Sequence, residues 1–138
     1  MTIIAYRDSV LAADTLWVGN DTRDGYGPKI ERAGSLLVGC SGSVPVSLRF
    51  RAWVAAGFDG VNPLEETPDG NGIVVWQGGV VGWCSRGSWP VSEGFYAIGS
   101  GCEFATGAME MGATAEEAVQ VAIKHSTSCG GPINVLRL

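Results

Sequence analysis

The stretch Met1–Thr15, MTIIAYRDSVLAADT, contains two short apolar runs on either side of a polar tripeptide, Arg7–Ser9. Apolar runs of this kind, separated by turn-forming residues, are typical of a β-hairpin. The length of the loop decides which residues face each other, because a shift of one residue moves every side chain to the other face of the sheet. The stretch therefore predicts the start of a sheet, and its register decides which polar groups meet at the open end.

Two registers are considered for this hairpin. A three-residue loop at Arg7–Ser9 places Thr2 directly opposite Asp14, with both side chains on one face. A two-residue turn made by the first two loop residues places Met1 opposite Asp14 and turns Thr2 to the other face. We favour the three-residue loop, which predicts that the Thr2 hydroxyl and the Asp14 carboxylate are neighbours.

Thr2 directly follows the initiator methionine. Removal of Met1 leaves a threonine whose free amine and hydroxyl belong to the same residue, and such a pair can act as base and nucleophile together. An α-amine titrates at about pH 7.7 to 8.0, so it can accept a proton near neutral pH. Thr2 is therefore a candidate nucleophile that carries its own base.

The rest of the chain alternates between strand and helix patterns. Four strands are predicted in the first forty residues, followed by one helix, three strands, two helices and a closing strand. The predicted strands cover residues 2–6, 10–14, 29–32, 36–40, 73–77, 80–84, 95–101 and the end of 128–138. The predicted helices cover 43–57, 102–111 and a segment that starts at the capping box 114–117. The turn-rich segment 58–72 is interpreted as an excursion. Hairpin-linked strands with grouped helices predict an α+β fold of antiparallel sheets covered by helices, in a single domain over 1–138.

Composition excludes several functional classes. The 138 residues are 46% hydrophobic and carry a net charge of −5, with only two lysines, Lys29 and Lys124. A phosphate backbone needs clustered basic residues, so nucleic acid is not an expected partner. No apolar run is long enough to span a membrane, and the first residues lack the pattern of a secretory signal, so a cytoplasmic location is expected.

The four cysteines contain no close pair, and His125 is the only histidine. Zinc sites need cysteine or histidine ligands at short spacings, so we expect neither a metal nor a cofactor. Buried, reduced thiols are the simpler interpretation of these cysteines.

The ordered set of motifs resembles the proteasome β subunits and the related bacterial ATP-dependent peptidase, which are N-terminal nucleophile hydrolases. TIIAY and VLAAD resemble the first hairpin of that family, KIER the third strand, VGCSGSV the strand-to-helix corner, and AIGSG the entry to the third helix. The resemblance covers most of the chain and implies a four-layer αββα sandwich of antiparallel sheets. The segment after Gly57 is short and turn-rich, so we expect the second family helix to be missing.

The resemblance also implies roles for particular residues. Thr2 is the nucleophile once Met1 is removed, and its amine is the general base. Lys29 supplies positive charge beside the hydroxyl, and Asp14 holds Lys29 in place. The Gly42 N–H is the oxyanion donor, and Ser100 in AIGSG supports the amine.

Other residues fall at the pocket and at the support of the amine. Cys40 and Val44 occupy positions that line the main specificity pocket in the family, which implies a preference for a modest apolar side chain. Ser126 and Cys129 stand where the family usually has an aspartate and a serine near the terminal amine. The implied reaction is cleavage of a peptide or small amide bond, in a homo-oligomer and with no ATPase partner expected, because the docking helix is missing.

Four alternatives are considered. An ungapped comparison at Ala5–Tyr6 puts Met1 at the nucleophile position, and Ser43 or Cys40 is another possible nucleophile if Thr2 is not used. A catalytically silent structural or binding module is the second functional hypothesis. A cofactor-binding α/β protein with Gly99–Gly101 as a phosphate loop is disfavoured, since the longer glycine pattern and a following basic residue are absent.

Overall fold

The computed structural model describes all residues, Met1–Leu138, as eleven strands and three helices. The strands are β1 (Ile4–Arg7), β2 (Val10–Ala13), β3 (Leu16–Gly19), β4 (Thr22–Tyr26), β5 (Ile30–Ala33), β6 (Leu36–Ser41), β7 (Asn71–Trp76), β8 (Gly79–Cys84), β9 (Gly87–Pro90), β10 (Phe95–Ile98) and β11 (Asn134–Arg137). The helices are α1 (Val44–Ala55), α2 (Cys102–Glu110) and α3 (Ala115–His125). None of these helices combines the length and the apolar character that a membrane span requires.

The strands form three antiparallel sheets. The first sheet has the order β10-β1-β2-β11, the second has the order β5-β6-β7-β8-β9, and β3 and β4 form a separate two-stranded ribbon. The amino-terminal strand β1 is central in the first sheet, paired with both β2 and β10. The start of the chain is therefore fixed on both sides, directly beside the segment that enters α2.

Alternation along the strands sends neighbouring residues into different cores. Ile3 packs in a core with residues of α2 and α3, whereas Ile4 packs against residues of the second sheet. In the second sheet, Leu37 faces the first sheet, while its neighbour Val38 packs with Phe50 of α1. Both large sheets thus have two buried faces, which explains why the strands carry consecutive apolar residues.

The predicted succession of elements is confirmed at most positions. The helix after Ser43, the β7–β8 hairpin, α2, α3 and the closing strand all form, and the predicted capping box is present, with Glu117 N–H bonded to Thr114 Oγ1 at 3.1 Å. The segment 58–70 contains neither helix nor strand, as expected for the excursion. The prediction of antiparallel sheets with helices is also confirmed.

Three strands were missed by the sequence reasoning. The β3–β4 ribbon lies over Leu16–Tyr26, and β4 is mostly exposed, so it carries no apolar period. Its turn residues Asn20 and Asp21 both have positive φ, of 49° and 61°, which is the type I′ geometry of tight hairpins. That dipeptide was the available signal. Strand β9 is a short edge strand with largely exposed residues, which also hides its pattern.

Both registers considered for the first hairpin are wrong. The turn is made by two residues, Asp8 and Ser9, with φ of 51° and 65°, and Arg7 pairs with Val10. A type I′ turn is favoured because its twist matches the right-handed twist of the strands. The register continues to Ile3 opposite Asp14, where Asp14 N–H donates to the Ile3 carbonyl at 3.1 Å.

Thr2 therefore lies opposite Thr15, and Thr2 and Asp14 are not a cross-strand pair. The predicted direct contact between the Thr2 hydroxyl and the Asp14 carboxylate does not follow from the hairpin.

Candidate active site

A buried ion pair lies at the open end of the first hairpin. Asp14 follows β2 and is fully buried, and Lys29 precedes β5 and is 5% exposed. Lys29 Nζ is 2.8 Å from Asp14 Oδ1. The carboxylate also accepts hydrogen bonds from the N–H groups of Ile3, at 3.0 Å, and Gly130, at 3.1 Å. Three donors therefore satisfy the Asp14 carboxyl group, which offsets the cost of burying it.

Lys29 also connects this pair to the peptide bond before Thr2. Its ammonium donates a second hydrogen bond to the Met1 carbonyl, at 3.0 Å. Lys29 thus links Asp14 to the Met1–Thr2 bond, although the register separates Thr2 from Asp14.

The segment Gly99–Gly101 clamps the backbone of Thr2. Thr2 N–H donates to Ser100 Oγ at 3.1 Å, and Gly101 N–H donates to the Thr2 carbonyl at 3.1 Å. A Cβ on Gly99 would lie 2.1 Å from the Thr2 carbonyl oxygen, and Gly99 has φ of +99°. Only glycine fits this position, because both the space and the backbone conformation exclude a side chain.

The Thr2 hydroxyl makes no hydrogen bond within the protein, although the residue is 5% exposed. The Thr2 hydroxyl is not sealed off, because Trp83 Nε1 is the single sealed side-chain polar atom without a partner, and Thr2 lines the adjoining cavity. A nucleophile needs an unencumbered oxygen in a cleft that admits a substrate. Thr2 meets both conditions.

One cavity of about 740 Å³ brings together most of the predicted site residues. Those that line it are Thr2, Lys29, Cys40, Gly42, Val44 and Ser100. Asp14 lies behind Lys29 and does not line the cavity. Gly42 has φ of +124°, and its N–H has no acceptor within the protein, so it is available as a donor at the cavity wall.

Ser126 and Cys129 do not line the cavity, but they lie behind the Gly99–Gly101 clamp. Cys129 Sγ is 3.9 Å from Ser100 Oγ. Ser126 reaches Ser100 only through Ser128, whose hydroxyl is 3.2 Å from Ser126 Oγ and 3.4 Å from Ser100 Oγ. Ser128 was missed by the sequence reasoning; the repeated serine in the turn before Gly130 was the signal.

Two further candidate nucleophiles are less suited to the role. Burial raises the pKa of the Cys40 thiol to about 12, so it stays protonated at neutral pH. Ser43 precedes α1 and lines the cavity, but no base contacts its hydroxyl. A hydroxyl without a neighbouring base is a weak nucleophile. The structure contains no group of three or more histidine, cysteine, aspartate or glutamate side chains that could bind a metal ion.

Comparison with known proteins supports the fold. Neither the family models nor the curated proteins give a match to this chain. Among solved structures, BPH of Thiobacillus denitrificans in complex with epoxomicin is similar with a TM-score of 0.68 and 22% identity, over 99% of this chain and 97% of that one. HslV from Trypanosoma brucei is similar with a TM-score of 0.73 and 17% identity, over the whole of both chains.

These similarities extend over essentially the full length of each chain, at identities too low to carry function. They confirm the predicted resemblance to the proteasome-like N-terminal nucleophile hydrolases as a similarity of fold.

Proposed function

We propose that this protein is a threonine hydrolase that cleaves peptide or small amide bonds with Thr2 as its nucleophile. The observation that carries the proposal is the position of Lys29, which donates both to Asp14 and to the carbonyl of the Met1–Thr2 bond. The clamp from Ser100 on the Thr2 nitrogen supports it. The fold similarity to T. denitrificans BPH, which was solved in complex with epoxomicin, is further support.

The arrangement of the cores supports the four-layer αββα sandwich as the frame of this site. One core lies between α2, α3 and the first sheet, a second between the two large sheets, and a third between the second sheet and α1. The site lies where the ends of β2, β6 and β10 approach one another. Layers packed in this way hold the nucleophile, the cation and the oxyanion donor on rigid elements.

In the proposed mechanism, hydrolysis of the Met1–Thr2 bond first frees the Thr2 amine. The amine accepts the hydroxyl proton, Thr2 Oγ1 attacks the substrate carbonyl carbon, and Lys29 stabilises the developing negative charge. The Gly42 N–H donates to the oxyanion of the tetrahedral intermediate. The C–N bond then breaks as the leaving amine takes the proton, and water hydrolyses the resulting ester to release the acid and restore Thr2.

The decisive test uses intact mass and covalent labelling. Protein that begins at Thr2 is expected to gain the mass of epoxomicin and to cleave fluorogenic peptides, whereas Thr2→Ala protein is expected to do neither. Thr127→Ala, at an exposed threonine, is the matched control and should keep both properties. Cleavage that persists in Thr2→Ala protein would refute Thr2 as the nucleophile.

A second candidate function is a catalytically silent structural or binding module. The observation that favours it is that the Thr2 nitrogen is an amide as long as Met1 is attached, so it has no base to offer. Protein purified from its host that retains Met1, and that epoxomicin does not label, would support this alternative.

Assembly into a homo-oligomer belongs to both candidates. It is supported by apolar side chains left exposed on α1 and on the second sheet, Leu48 and Trp76 among them. An ATPase partner is not proposed, because segment 58–70 presents no helix for docking. Light scattering after size exclusion should give a mass that is a multiple of 14.4 kDa, and a monomer at micromolar concentration would contradict the assembly.

A further inference from the structure

A second cation lies in the wall of the cavity, and the proposed mechanism does not use it. Arg51, on the inward face of α1, is 4% exposed and lines the same cavity as Thr2 and Lys29. Arginine side chains are almost never buried to this degree unless they are paired. The hydrogen-bond partners of the Arg51 guanidinium therefore bear on its role.

The guanidinium of Arg51 is only partly satisfied. Its Nε donates to the Ser47 carbonyl at 3.4 Å, and Nη1 is 3.4 Å from Glu31 Oε2. Both distances are long for charge-assisted hydrogen bonds, and the Glu31 side chain is 42% exposed. Nη2 has no partner and is not sealed off, since Trp83 Nε1 is the single sealed polar atom without one. Nη2 is therefore left without a partner in a residue that lines the cavity.

The chain connects the surroundings of this cation to those of Lys29. Lys29 precedes β5, and Glu31 lies two residues further along, within the strand. Glu31 contacts Arg51, and Lys29 lies beside Cys40 through a backbone hydrogen bond from Cys40 N–H to the Lys29 carbonyl. Arg51, Lys29 and Thr2 thus line one cavity.

The other polar groups of this part of the cavity do not neutralise Arg51. The Cys40 thiol is beside it, but burial keeps that thiol protonated, with a pKa of about 12. The positive charge of Lys29 is balanced by Asp14. Asp69 is the one acidic residue of the lining, and it belongs to the exposed excursion, where water screens its charge.

We infer that Arg51 is a specificity-determining residue, and that the cavity selects substrates with a carboxylate side chain beside the scissile bond. A bidentate carboxylate would satisfy the free Nη2 and replace the long contact to Glu31. This inference rests on the proposed function. It replaces the apolar preference expected from Cys40 and Val44, because those residues line the wall of the pocket while the buried cation decides the charge it accepts.

The test measures binding without chemistry. Thr2→Ala protein is released from a cleavable fusion, so that residue 2 is its first residue, and is titrated with two blocked peptides that differ only in Glu or Gln at the residue before the scissile bond. Calorimetry should show that the Glu peptide binds about tenfold tighter or more, as expected for a charge-assisted pair. Equal binding of the two peptides would overturn the inference.

Variants separate recognition from a merely structural role of Arg51. Adding Arg51→Met should abolish the difference between the two peptides, and Arg51→Lys should keep part of it. Arg49→Met, on the exposed face of the same helix, is the matched control and should leave the difference intact. A Glu preference that survives in a folded Arg51→Met protein would assign the recognition elsewhere. Failure of the proposed function appears separately, as a wild-type protein beginning at Thr2 that binds but does not cleave either peptide.

Discussion

The ion pair between Asp14 and Lys29 gives the most quantitative prediction about this protein. At 2.8 Å, and with an effective dielectric constant of about 20, the Coulomb attraction is about 6 kcal/mol before any desolvation cost. Removing one partner leaves a buried charge without compensation, which typically costs about 3 to 5 kcal/mol. Lys29→Met and Asp14→Asn should each lower the free energy of unfolding by an amount in this range.

The two single variants should differ in a defined direction. Lys29→Met leaves Asp14 with two backbone donors, the N–H groups of Ile3 and Gly130. Asp14→Asn replaces one acceptor oxygen by an NH₂ group, which then faces a donor, so this change should be the costlier one. The double variant should be more stable than the sum of the two losses implies, with a coupling energy of about 2 to 3 kcal/mol.

Urea-induced unfolding of the wild type, the two single variants and the double variant measures the coupling energy, provided that the slope of the unfolding free energy against urea concentration is the same for all four. Asp8→Asn is the matched control: Asp8 is 3.8 Å from Arg7, its side chain is 88% exposed, and asparagine tolerates the positive φ of the turn. It should change the unfolding free energy by no more than about 0.5 kcal/mol. A coupling energy below about 0.5 kcal/mol for the buried pair would refute the argument that the ion pair organises this site.

Three other predictions follow from single groups. Burial raises the pKa of Cys40 to about 12, so about one thiol in ten thousand is ionised at pH 8, and iodoacetamide should label Cys40 only after unfolding. Because the thiol ionises more easily in the unfolded chain, the free energy of unfolding should fall as pH rises above 9.0. Gly99→Ala should cost about 3 kcal/mol or more and loosen Thr2, whereas Gly94→Ala, with open space around its Cβ, should be nearly neutral in thermal unfolding. The backbone hydrogen bond at the capping box lowers the pKa of Glu117, so Glu117→Gln should destabilise the protein at pH 7, and this difference should shrink as pH falls below about 4.5.

Much of the fold was accessible from local patterns. The capping box at Thr114 and the helical spacing of small apolar residues fixed α3, and Pro45 with Gly57 bounded α1. Patterns of this kind act within one turn or one strand, so they need no knowledge of distant residues. Strands β4 and β9 were not predicted because their residues are mostly exposed and show no alternation of apolar and polar side chains.

The candidate site was accessible in its composition but not in its geometry. The types and order of Thr2, Lys29 and the Gly99–Gly101 turn pointed to the chemistry, yet the predicted pairing of Thr2 with Asp14 was wrong by one residue. The register of a hairpin is set by the length and conformation of its loop, and the turn residues Asp8 and Ser9 lack the glycine that usually marks a type I′ turn. Ser100 contacts residues of the turn before Gly130, which lies about 30 residues away in sequence. The sequence alone could not show which residues of that turn contact Ser100.

The sequence by itself determined most of the elements, their order and the residue types of the site, because helix caps, apolar periods and glycine turns are local properties of the chain. Only the tertiary structure decided that Ile3 and not Thr2 lies opposite Asp14, that Lys29 also contacts the carbonyl of the bond before Thr2, and that Arg51 lines the same cavity. The contacts of Lys29 and Arg51 join elements from different layers, and their distances are set by how the sheets and α1 pack rather than by any spacing along the chain.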